Sequence, residues 1–491
     1  MNTTEIRGIS HMSLFKDAQL TRKQAIMITV LVAGVFISVL NQTIVSPALP
    51  SIMSELGVNV SQGQWLLSVF TLVMALMIPV TAFLLDRFPV RTLFISAMTL
   101  FTAGSLLLAW GPTFPVLILG RILQAISSGM LTPVIMSILM WVFPIGFRGR
   151  AMGLYSLVVA CAPAIGPAYS GIMVDVLSWH FVFLSTAPLA VIMAIIAFFA
   201  IDGFGERKNV TLDKLSVILS TLGLGSLLYG CSTIGSAGGQ HLESVVTIAG
   251  GLAALAWFGI RQLRLKEPVL ELRVLKNRNF LSASVIIMLF QAGILVLSVI
   301  LSIYIQTILG YSATVTGLVF LPGAVLMAAM SMVSGRLFDR HGPRRPVLIG
   351  AAALTIAMLC FAMLDTGTPL PLIFVIYVIF SAGIALLNTP LSTWALNSLD
   401  FREIHHGSAV LNTLRQAAGA IGTAVLVTVM SIAMSAYPDP DSIAANMAGF
   451  TATSIFMAAI MIAIFVASFI LVRDRRETLD ARAGSTRPDK V

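Results

Sequence analysis

Long apolar stretches follow one another along most of the chain and are separated by short polar breaks. Fourteen such runs are predicted, each roughly 18 to 28 residues long, which is enough for an α-helix to cross a hydrocarbon core of about 30 Å. They begin near Ala25, Trp65, Thr92, Val116, Ala151, Phe181, Leu215, Ser244, Phe280, Thr314, Pro346, Leu372, Ser408 and Ala448. The pattern predicts an all-α integral membrane protein with fourteen transmembrane helices.

The composition excludes a soluble protein. Hydrophobic residues make up 57% of the 491 residues and charged residues only 10%, too few to keep a water-facing surface hydrated. The three cysteines, Cys161, Cys231 and Cys360, lie inside apolar runs, so neither a disulfide framework nor a metal cluster is predicted. The lipid bilayer is the expected surrounding, and neither a cofactor nor a nucleic-acid partner is expected despite the net charge of +9.

The basic residues are concentrated in alternate loops between the predicted helices. Every second loop and both tails carry Lys or Arg, whereas the opposite loops carry acidic residues such as Glu55, Glu243 and Asp365 and no Lys or Arg. By the positive-inside rule this places both termini in the cytoplasm and the chain in the plasma or inner membrane. The first apolar run follows Arg22 and Lys23 without a cleavage site, so we expect a retained membrane helix and not a signal peptide.

A short motif occurs twice, each time at the end of an apolar run. Residues 83–87 follow the second run, and residues 336–340 follow the tenth, 253 residues later. Because the copies are eight runs apart, we predict two six-helix bundles with a helix pair inserted between them; repeated halves are typical of secondary transporters. The predicted divisions are a cytoplasmic N-terminal tail at 1–24, an N-terminal bundle at 25–201, the inserted pair with its linkers at 202–279, a C-terminal bundle at 280–472 and a cytoplasmic C-terminal tail at 473–491.

The motif places an Asp-Arg pair at the cytoplasmic end of a predicted helix. Asp86 and Arg87 form the first pair, and Asp339 and Arg340 form the second, with Gly335 one helical turn earlier. Such an aspartate can pair with an arginine or face the positive N-terminus of a neighbouring helix. We therefore predict a cytoplasmic latch between the two bundles. A loop that only obeys the positive-inside rule is the alternative.

The fifth run, at 152–175, contains two prolines in its middle. Pro163 and Pro167 each remove a helical hydrogen bond, and with Gly166 and Gly171 they leave one side of the helix with almost no side chains. A bare and bendable face allows another backbone to approach closely and to rock against it. These residues are predicted to form a conformational hinge. A kinked helix that packs statically is the alternative.

In these motifs the chain resembles the major facilitator superfamily, and within it the fourteen-span drug:proton antiporters. The copy at 335–345 is close to the superfamily's complete cytoplasmic motif, while the first copy departs from it at Ala82 and Pro89. The segment at 121–129 is similar to the family's fourth-helix Arg-x-x-Gln-Gly segment, with Ala125 in place of a glycine, and 162–171 is similar to a fifth-helix motif associated with exporters. The resemblance implies the major facilitator fold, export of small amphipathic substrates by alternating access, and protons as the coupling ion.

Few polar side chains lie inside the predicted spans, and they are the candidates for substrate binding and coupling. The family's first-helix motif usually has an aspartate where this chain has Asn41, and no Asp or Glu lies well inside any predicted span. Arg121, one turn before Gln124, is expected at the depth of Asn41, where it could bond the Asn41 amide oxygen or a substrate anion. A structural arginine bonded to main-chain carbonyls is the alternative. For Arg415, in the thirteenth run, a functional and a structural role are equally open.

The best interpretation is a secondary active efflux transporter of the multidrug type, with no catalytic residue. A membrane enzyme would need a nucleophile with its base, or a metal cluster, inside the bilayer, and neither is visible in the sequence. His405 and His406 are expected to be solvated in a cytoplasmic loop. The alternatives are an importer or exporter of one specific metabolite and a non-transporting membrane receptor. A specific importer would be expected to show a dense polar site, which these spans lack.

Overall fold

The computed structural model describes residue 18 and residues 20–58, 60–201, 213–233, 241–265, 268–311, 313–439 and 442–472. The predicted C-terminal tail at 473–491 and most of the predicted N-terminal tail at 1–24 lie outside these residues, as do parts of the linkers of the inserted pair. The described residues are almost entirely helical, which confirms the predicted all-α fold class.

The described part of the chain forms sixteen α-helices. In chain order they are α1 (Arg22–Thr43), α2 (Val45–Leu56), α3 (Val60–Arg87), α4 (Val90–Trp110), α5 (Phe114–Val142), α6 (Arg148–Val176), α7 (Trp179–Leu184), α8 (Thr186–Ala200), α9 (Lys214–Thr233), α10 (His241–Arg264), α11 (Arg278–Ile303), α12 (Ala313–His341), α13 (Arg344–Ala362), α14 (Leu370–Asn397), α15 (Ile404–Ser435) and α16 (Ile443–Leu471). Short 3-10 turns precede α6 and α11, and a π turn follows α11.

Thirteen segments of this structure are helical, long and apolar enough to cross a membrane. The remaining predicted span is α11, which has 26 residues and a described apolar run at Arg278–Ile294. Two spans consist of consecutive helices, since α2 continues the span of α1, and α7 and α8 together make the sixth span. Each of the fourteen predicted spans therefore corresponds to a helix or helix pair of the structure.

Consecutive spans run in opposite directions, so the start of α1 and the end of α16 lie at the same face of the molecule. This face also carries Arg87, Arg148, Arg261 and Arg340, which end or begin spans there. It is called the basic face below, and the other end is called the opposite face.

The first span is interrupted between α1 and α2, at Ile44. Pro47 and Pro50 have no N–H group, so two main-chain carbonyls near the break lose their helical hydrogen bonds. Ser170 of α6 donates a hydrogen bond to the carbonyl of Ile44. The break of the first span therefore packs against the helix that contains the two central prolines.

The helices pack as two halves that follow the repeat. In the first half α4 packs against α5 and α8, α3 against α5, and α1 against α6. In the second half α13 packs against α14 and α16, α11 against α15, and α12 against α14. The halves meet along α6 and α12 on one side, and along α15 with α3 and α5 on the other. The inserted helices α9 and α10 pack against each other, and α9 touches both α3 and α15.

An ion pair joins the two inserted helices at the basic face. Nε of Arg261, in the last turn of α10, donates to Oδ2 of Asp213 at 2.7 Å, and Nη2 donates to Oδ1 at 3.1 Å. This two-pronged hydrogen bond stabilises the carboxylate and lowers the pKa of Asp213 to about 2. The buried amide of Gln262 donates to the hydroxyl of Ser216 at 2.6 Å beside it. The helix pair is thus fastened at the end where it joins its linkers.

Candidate functional site: the interface between the two halves

Asp86 lies in the last turn of α3 and contacts the first turn of α15 in the other half. Its Oδ1 lies 3.1 Å from Nε2 of His405, and its Oδ2 lies 3.1 Å from Nε2 of His406. All three side chains are buried, and Nδ1 of His406 accepts a hydrogen bond of 3.5 Å from the main-chain N–H of Glu271. Because Nδ1 of His406 is an acceptor, its Nε2 carries the proton and donates to the carboxylate. Asp86 therefore binds the start of α15 through two imidazoles.

The expectation that His405 and His406 are solvated is wrong. α15 begins at Ile404, one helical turn before the predicted start of the thirteenth run at Ser408, so both histidines belong to the helix. Only 5% of His405 and 8% of His406 is exposed. The start of a helix is predicted from the start of its apolar run. Because the first turn of this helix is polar, the predicted start came too late and the two histidines were assigned to the loop.

The second copy of the motif contacts the other half by different chemistry. Asp339, near the end of α12, accepts hydrogen bonds from the main-chain N–H groups of Gly149 at 2.8 Å and Arg150 at 3.0 Å. These groups belong to the first turn of α6, where N–H groups have no partner within the helix and the helix dipole is positive. Nε of Arg150 lies 3.7 Å from the same carboxylate. Each motif aspartate thus contacts the start of a helix in the opposite half.

The main chains of α6 and α12 touch where the two helices cross. A Cβ added to Gly149 would lie 2.5 Å from the carbonyl oxygen of Gly335, and one added to Gly153 would lie 2.7 Å from that of Ser331. A Cβ added to Gly335 would overlap the main chain of Gly149. The crossing is this close because neither helix presents a side chain there.

Further hydrogen bonds join the halves in the part of the molecule nearest the basic face. They link Trp141 Nε1 to the Phe401 carbonyl (3.2 Å), Arg148 to Asn397 (2.9 Å), Ser408 to the Pro133 carbonyl (3.3 Å), Asn412 to Met136 (3.1 Å) and Thr389 to Ser156 (3.0 Å). Together with the two motif aspartates, these contacts join the two halves near the basic face.

Arg121 of α5 is buried inside the first half. Its Nε donates to the Leu66 carbonyl at 3.0 Å, and its Nη1 donates to the Asn41 carbonyl at 3.3 Å and to Oε1 of Gln124 at 3.1 Å. The guanidinium also lies over the ring of Phe70, 4.2 Å from the ring centroid. Arg121 thus ties α1, α3 and α5 together, and it meets Asn41 at the main-chain oxygen and not at the side-chain amide.

The side-chain amide of Asn41 is buried without a hydrogen-bond partner among the described residues. Neither its Oδ1 nor its Nδ2 is bonded, and the residue has no solvent exposure. An amide enclosed in this way loses its hydrogen bonds to water without replacement, which is costly. Gln124, by contrast, uses both ends of its amide, since its Nε2 donates to the Ser105 hydroxyl at 2.9 Å. Asn41 is therefore an unsatisfied polar group beside the Arg121 cluster.

α6 runs without interruption through both of its central prolines. Pro163 and Pro167 are exposed, whereas Gly166 is buried against α1, where an added Cβ would overlap the Thr43 hydroxyl. Around Gly171 an added Cβ would meet open space. The residues of the predicted small-residue face therefore do not all share one environment. Its Gly166 side packs within the first half, and its prolines and Gly171 do not.

Arg415 of α15 belongs to a second polar cluster. Its Nη2 donates to Oδ1 of Asn388 at 2.9 Å and to the Ser392 hydroxyl at 2.5 Å, both on α14. The residue is half-buried, and α14, to which it is bonded, packs against α6 of the first half, where Thr389 donates to Ser156. Arg415 therefore lies where the two halves meet, apart from the Arg121 cluster.

Comparison with known families decides the class of this chain. Residues 31–423 match the sequence profile described as Major Facilitator Superfamily. The chain belongs to the Major Facilitator Superfamily. This facilitator is a multi-pass membrane transporter and not an enzyme.

Similar proteins cover most of this facilitator. It is 39% identical over 453 residues to the uncharacterized MFS-type transporter YcnB of Bacillus subtilis (strain 168), a match that spans 92% of this chain and 96% of the relative. It is 34% identical over 424 residues to the lincomycin resistance protein LmrB of the same organism, spanning 86% and 88%. The crystal structure of the human organic anion transporter MFSD10 (TETRAN) matches with a TM-score of 0.64 over 91% of this chain and 99% of that one. At 16% identity, this last likeness concerns the fold alone.

Several interface residues of this facilitator carried no motif in the sequence. Gly149 had an indirect signal, because Gly335 in the motif indicates a close approach and the partner in such an approach must also be small. Asn388 and Ser392 had none, since a single polar residue in an apolar run does not show which neighbour it faces. Their importance follows from their hydrogen bonds to Arg415.

Proposed function

We propose that this transporter is a secondary active exporter of the multidrug type, which moves small amphipathic compounds out of the cell by alternating access. The observation that carries the proposal is the pair of repeat-related contacts at Asp86 and Asp339, which join the halves at the same face on the two sides of the interface. A face held by a few side-chain hydrogen bonds and a smooth glycine crossing can open by rocking, because little interdigitation has to be undone.

We assign the basic face to the cytoplasm and the chain to the plasma membrane. Lys and Arg collect at this face, and loops rich in these residues stay on the cytoplasmic side. Both termini are then cytoplasmic, and the state described is closed to the cytoplasm. A substrate would enter from the cytoplasm or the inner leaflet in the other state and would leave outside from this one.

An amphipathic substrate class is supported by the composition of the spans and by the relatives. Apolar residues dominate the buried interior, so recognition would depend on apolar contact and a few placed polar groups. The lincomycin resistance proteins of Bacillus subtilis and Listeria monocytogenes are 34% and 33% identical to this chain. Their names support antibiotics as one group of exported compounds.

Proton influx is the driving force that we assign. The carboxylates of Asp86 and Asp339 are enclosed at the interface between the halves, with side chains 8% and 3% exposed. Protonation of Asp339 would weaken its charge-assisted hydrogen bonds to the other half, so a proton bound there would favour opening of the basic face. Asn41, which stands where the family's motif has an aspartate, cannot bind a proton in this way.

We assign the conformational hinge to α6, at Pro163, Gly166, Pro167 and Gly171. Of this segment, Gly166 packs against the end of α1, and the neighbouring Ser170 is bonded to the Ile44 carbonyl at the break of the first span. Two neighbouring helices that both lack helical hydrogen bonds at one depth can bend together. The polar groups of Arg121 and Gln124 near Asn41, and of Arg415, are assigned to substrate recognition and coupling.

Accumulation of fluorescent amphiphiles in expressing cells tests the proposed function. The panel should contain negatively charged, neutral and positively charged dyes. Cells with the parent protein should accumulate less of some of these dyes than cells with Gly335→Leu at an equal membrane level, and an uncoupler should remove the difference. Equal accumulation of every dye would show that export is the wrong function. A difference that survives the uncoupler would show that protons do not drive it.

A further inference from the structure

Arg415 places a permanent positive charge deep in the protein, at the interface between the halves. It lies eleven residues after Ile404, the first residue of α15, or about 16 Å along the helix. Among the described residues, no carboxylate forms an ion pair with it. A charge at this depth is costly in a membrane protein and is retained where it faces a partner or a wet cavity.

Hydrogen bonds from α14 hold the Arg415 guanidinium in one orientation and leave part of it unused. Nη2 is occupied by Asn388 Oδ1 and by the Ser392 hydroxyl, two acceptors one helical turn apart. Nε is buried and has no hydrogen-bond partner among the described residues. A guanidinium offers five N–H donors in a planar fork, and in this orientation the N–H of Nε stays unsatisfied.

The space beside Arg415 is shared by both halves. Ser156 of α6, in the first half, is hydrogen-bonded at 3.0 Å to Thr389 of α14, the residue after Asn388. Arg415 is half-buried, so part of its side chain is exposed although its Nε is enclosed. A molecule bound there would touch α6 as well as α14 and α15.

The surroundings of the Arg121 guanidinium differ from those of the Arg415 guanidinium. The Arg121 guanidinium is enclosed by two main-chain carbonyls, the Gln124 amide and the Phe70 ring, all within the first half. This arrangement encloses the Arg121 guanidinium within one half. Arg415 has a buried donor without a partner and a position between the halves, and both features point to a ligand.

We propose that Arg415, Asn388 and Ser392 form a subsite for the acidic group of an amphipathic substrate, a carboxylate, sulfonate or phosphate ester. The proposal rests on the proposed function and specifies its substrate class. An acidic group at Nε would supply the one charge-assisted hydrogen bond that this nitrogen lacks and would neutralise the charge of the guanidinium. The apolar part of the molecule would lie among the surrounding apolar side chains, and a cationic amphiphile would be repelled.

Binding of three probes that share one ring system tests the subsite. The probes are 1-naphthaleneacetate, 1-naphthaleneacetamide and 2-(1-naphthyl)ethylammonium, which carry a negative charge, no charge and a positive charge. Binding of the tritiated anion to the purified full-length protein is measured by scintillation proximity, with the other two as competitors. The anion should bind at least about tenfold more tightly than the amide, the size expected for one charge-assisted contact, and the cation should compete more weakly still. Equal or tighter binding of the cation by the parent protein would overturn the proposal without any variant.

Two substitutions at Arg415 and one remote control sharpen the test. Arg415→Gln should lose about tenfold in affinity for the anion while its affinity for the amide stays within about twofold. Arg415→Lys keeps the charge and should still prefer the anion to the cation. Arg91→Gln removes one positive charge beside Phe198, away from this interface, and should bind all three probes as the parent does. Unchanged anion binding by Arg415→Gln would overturn the subsite.

The binding results and the dye-accumulation results separate the two proposals. A protein that exports dyes but binds the three probes equally keeps the proposed function and loses the acidic-group subsite. A protein that binds the anion selectively but exports no dye keeps the subsite and loses the export function.

Discussion

Oδ1 of Asp86 and Nε2 of His405 lie 3.1 Å apart, although the two residues are 319 positions apart in the chain and belong to different halves. The equivalent aspartate of the repeat, Asp339, instead binds main-chain N–H groups at Gly149 and Arg150. The two contacts therefore respond differently to substitution of their partners. A substitution can remove the imidazole partner of Asp86, whereas the main-chain partners of Asp339 persist whatever side chain is present.

Asp86→Asn should open the basic face. The substitution keeps the shape of the side chain and removes the charge that strengthens its hydrogen bonds to His405 and His406, each worth about 1.5–3 kcal/mol. The population open at this face should therefore rise roughly tenfold or more. The measurement is the rate of maleimide labelling of Ser408→Cys, whose side chain is buried in the closed state, with the three native cysteines replaced by alanine.

A matched control for this experiment is Asp400→Asn, which removes an exposed carboxylate from the same face. Its labelling rate should equal that of the parent, and His405→Ala should label as fast as Asp86→Asn. If Asp86→Asn labels no faster than the control, this contact does not hold the face closed.

Gly335→Ala should prevent full closure of the basic face and lower transport by at least about tenfold. The added Cβ would overlap the main chain of Gly149, which cannot move aside as a flexible side chain does. Alanine favours helix formation over glycine by about 1 kcal/mol, so α12 itself should not be weakened. The measurement is dye export at an equal membrane level. Gly317→Ala, on the same helix with open space around it, should transport normally, and equal export by the two variants would contradict the role of the crossing.

Gly166→Ala should destabilise the packing of α6 against α1 within the first half. Its Cβ would overlap the Thr43 hydroxyl, and overpacking of this kind costs about 1–3 kcal/mol. The melting temperature of the purified protein measures the effect. Thr43→Ala in the same chain should restore most of the loss, because it removes the overlapping oxygen, while Gly171→Ala should leave the melting temperature unchanged. Without recovery in the double variant, the clash with Thr43 is not the cause.

Asn41→Asp should shift the export profile toward cationic compounds. The position is fully buried and its main-chain oxygen already accepts from Arg121, so a carboxylate there would supply the negative charge that this cluster lacks. The measurement is a resistance profile across cationic, neutral and anionic compounds. Gln42→Glu adds the same charge at the neighbouring position and should leave the profile as in the parent. A profile that is the same in Asn41→Asp and the parent would show that this position does not set charge selectivity.

The spans were predictable because a long apolar run in a membrane protein indicates a transmembrane helix. The repeated Asp-Arg motif showed that Asp86 and Asp339 occupy equivalent positions in the two halves. Depth along a helix also brought Arg121 and Asn41 together. Which oxygen of Asn41 would be used was not predictable, because this depends on how Leu66 and Gln124 pack around the guanidinium. Helical periodicity placed Gly166 on a bare face, but the helix that covers that face is fixed by tertiary packing.

The crossing at Gly149 and Gly335 also has a consequence for electrical insulation. A membrane that stores a proton gradient is short-circuited by any continuous file of water through a protein. Water needs a passage of about 2.8 Å in diameter, and the two main chains approach so closely that even an added methyl group finds no room between them. Because neither helix has a side chain at this crossing, the helices can slide past each other. The same close contact of their main chains leaves no passage through which water could carry protons.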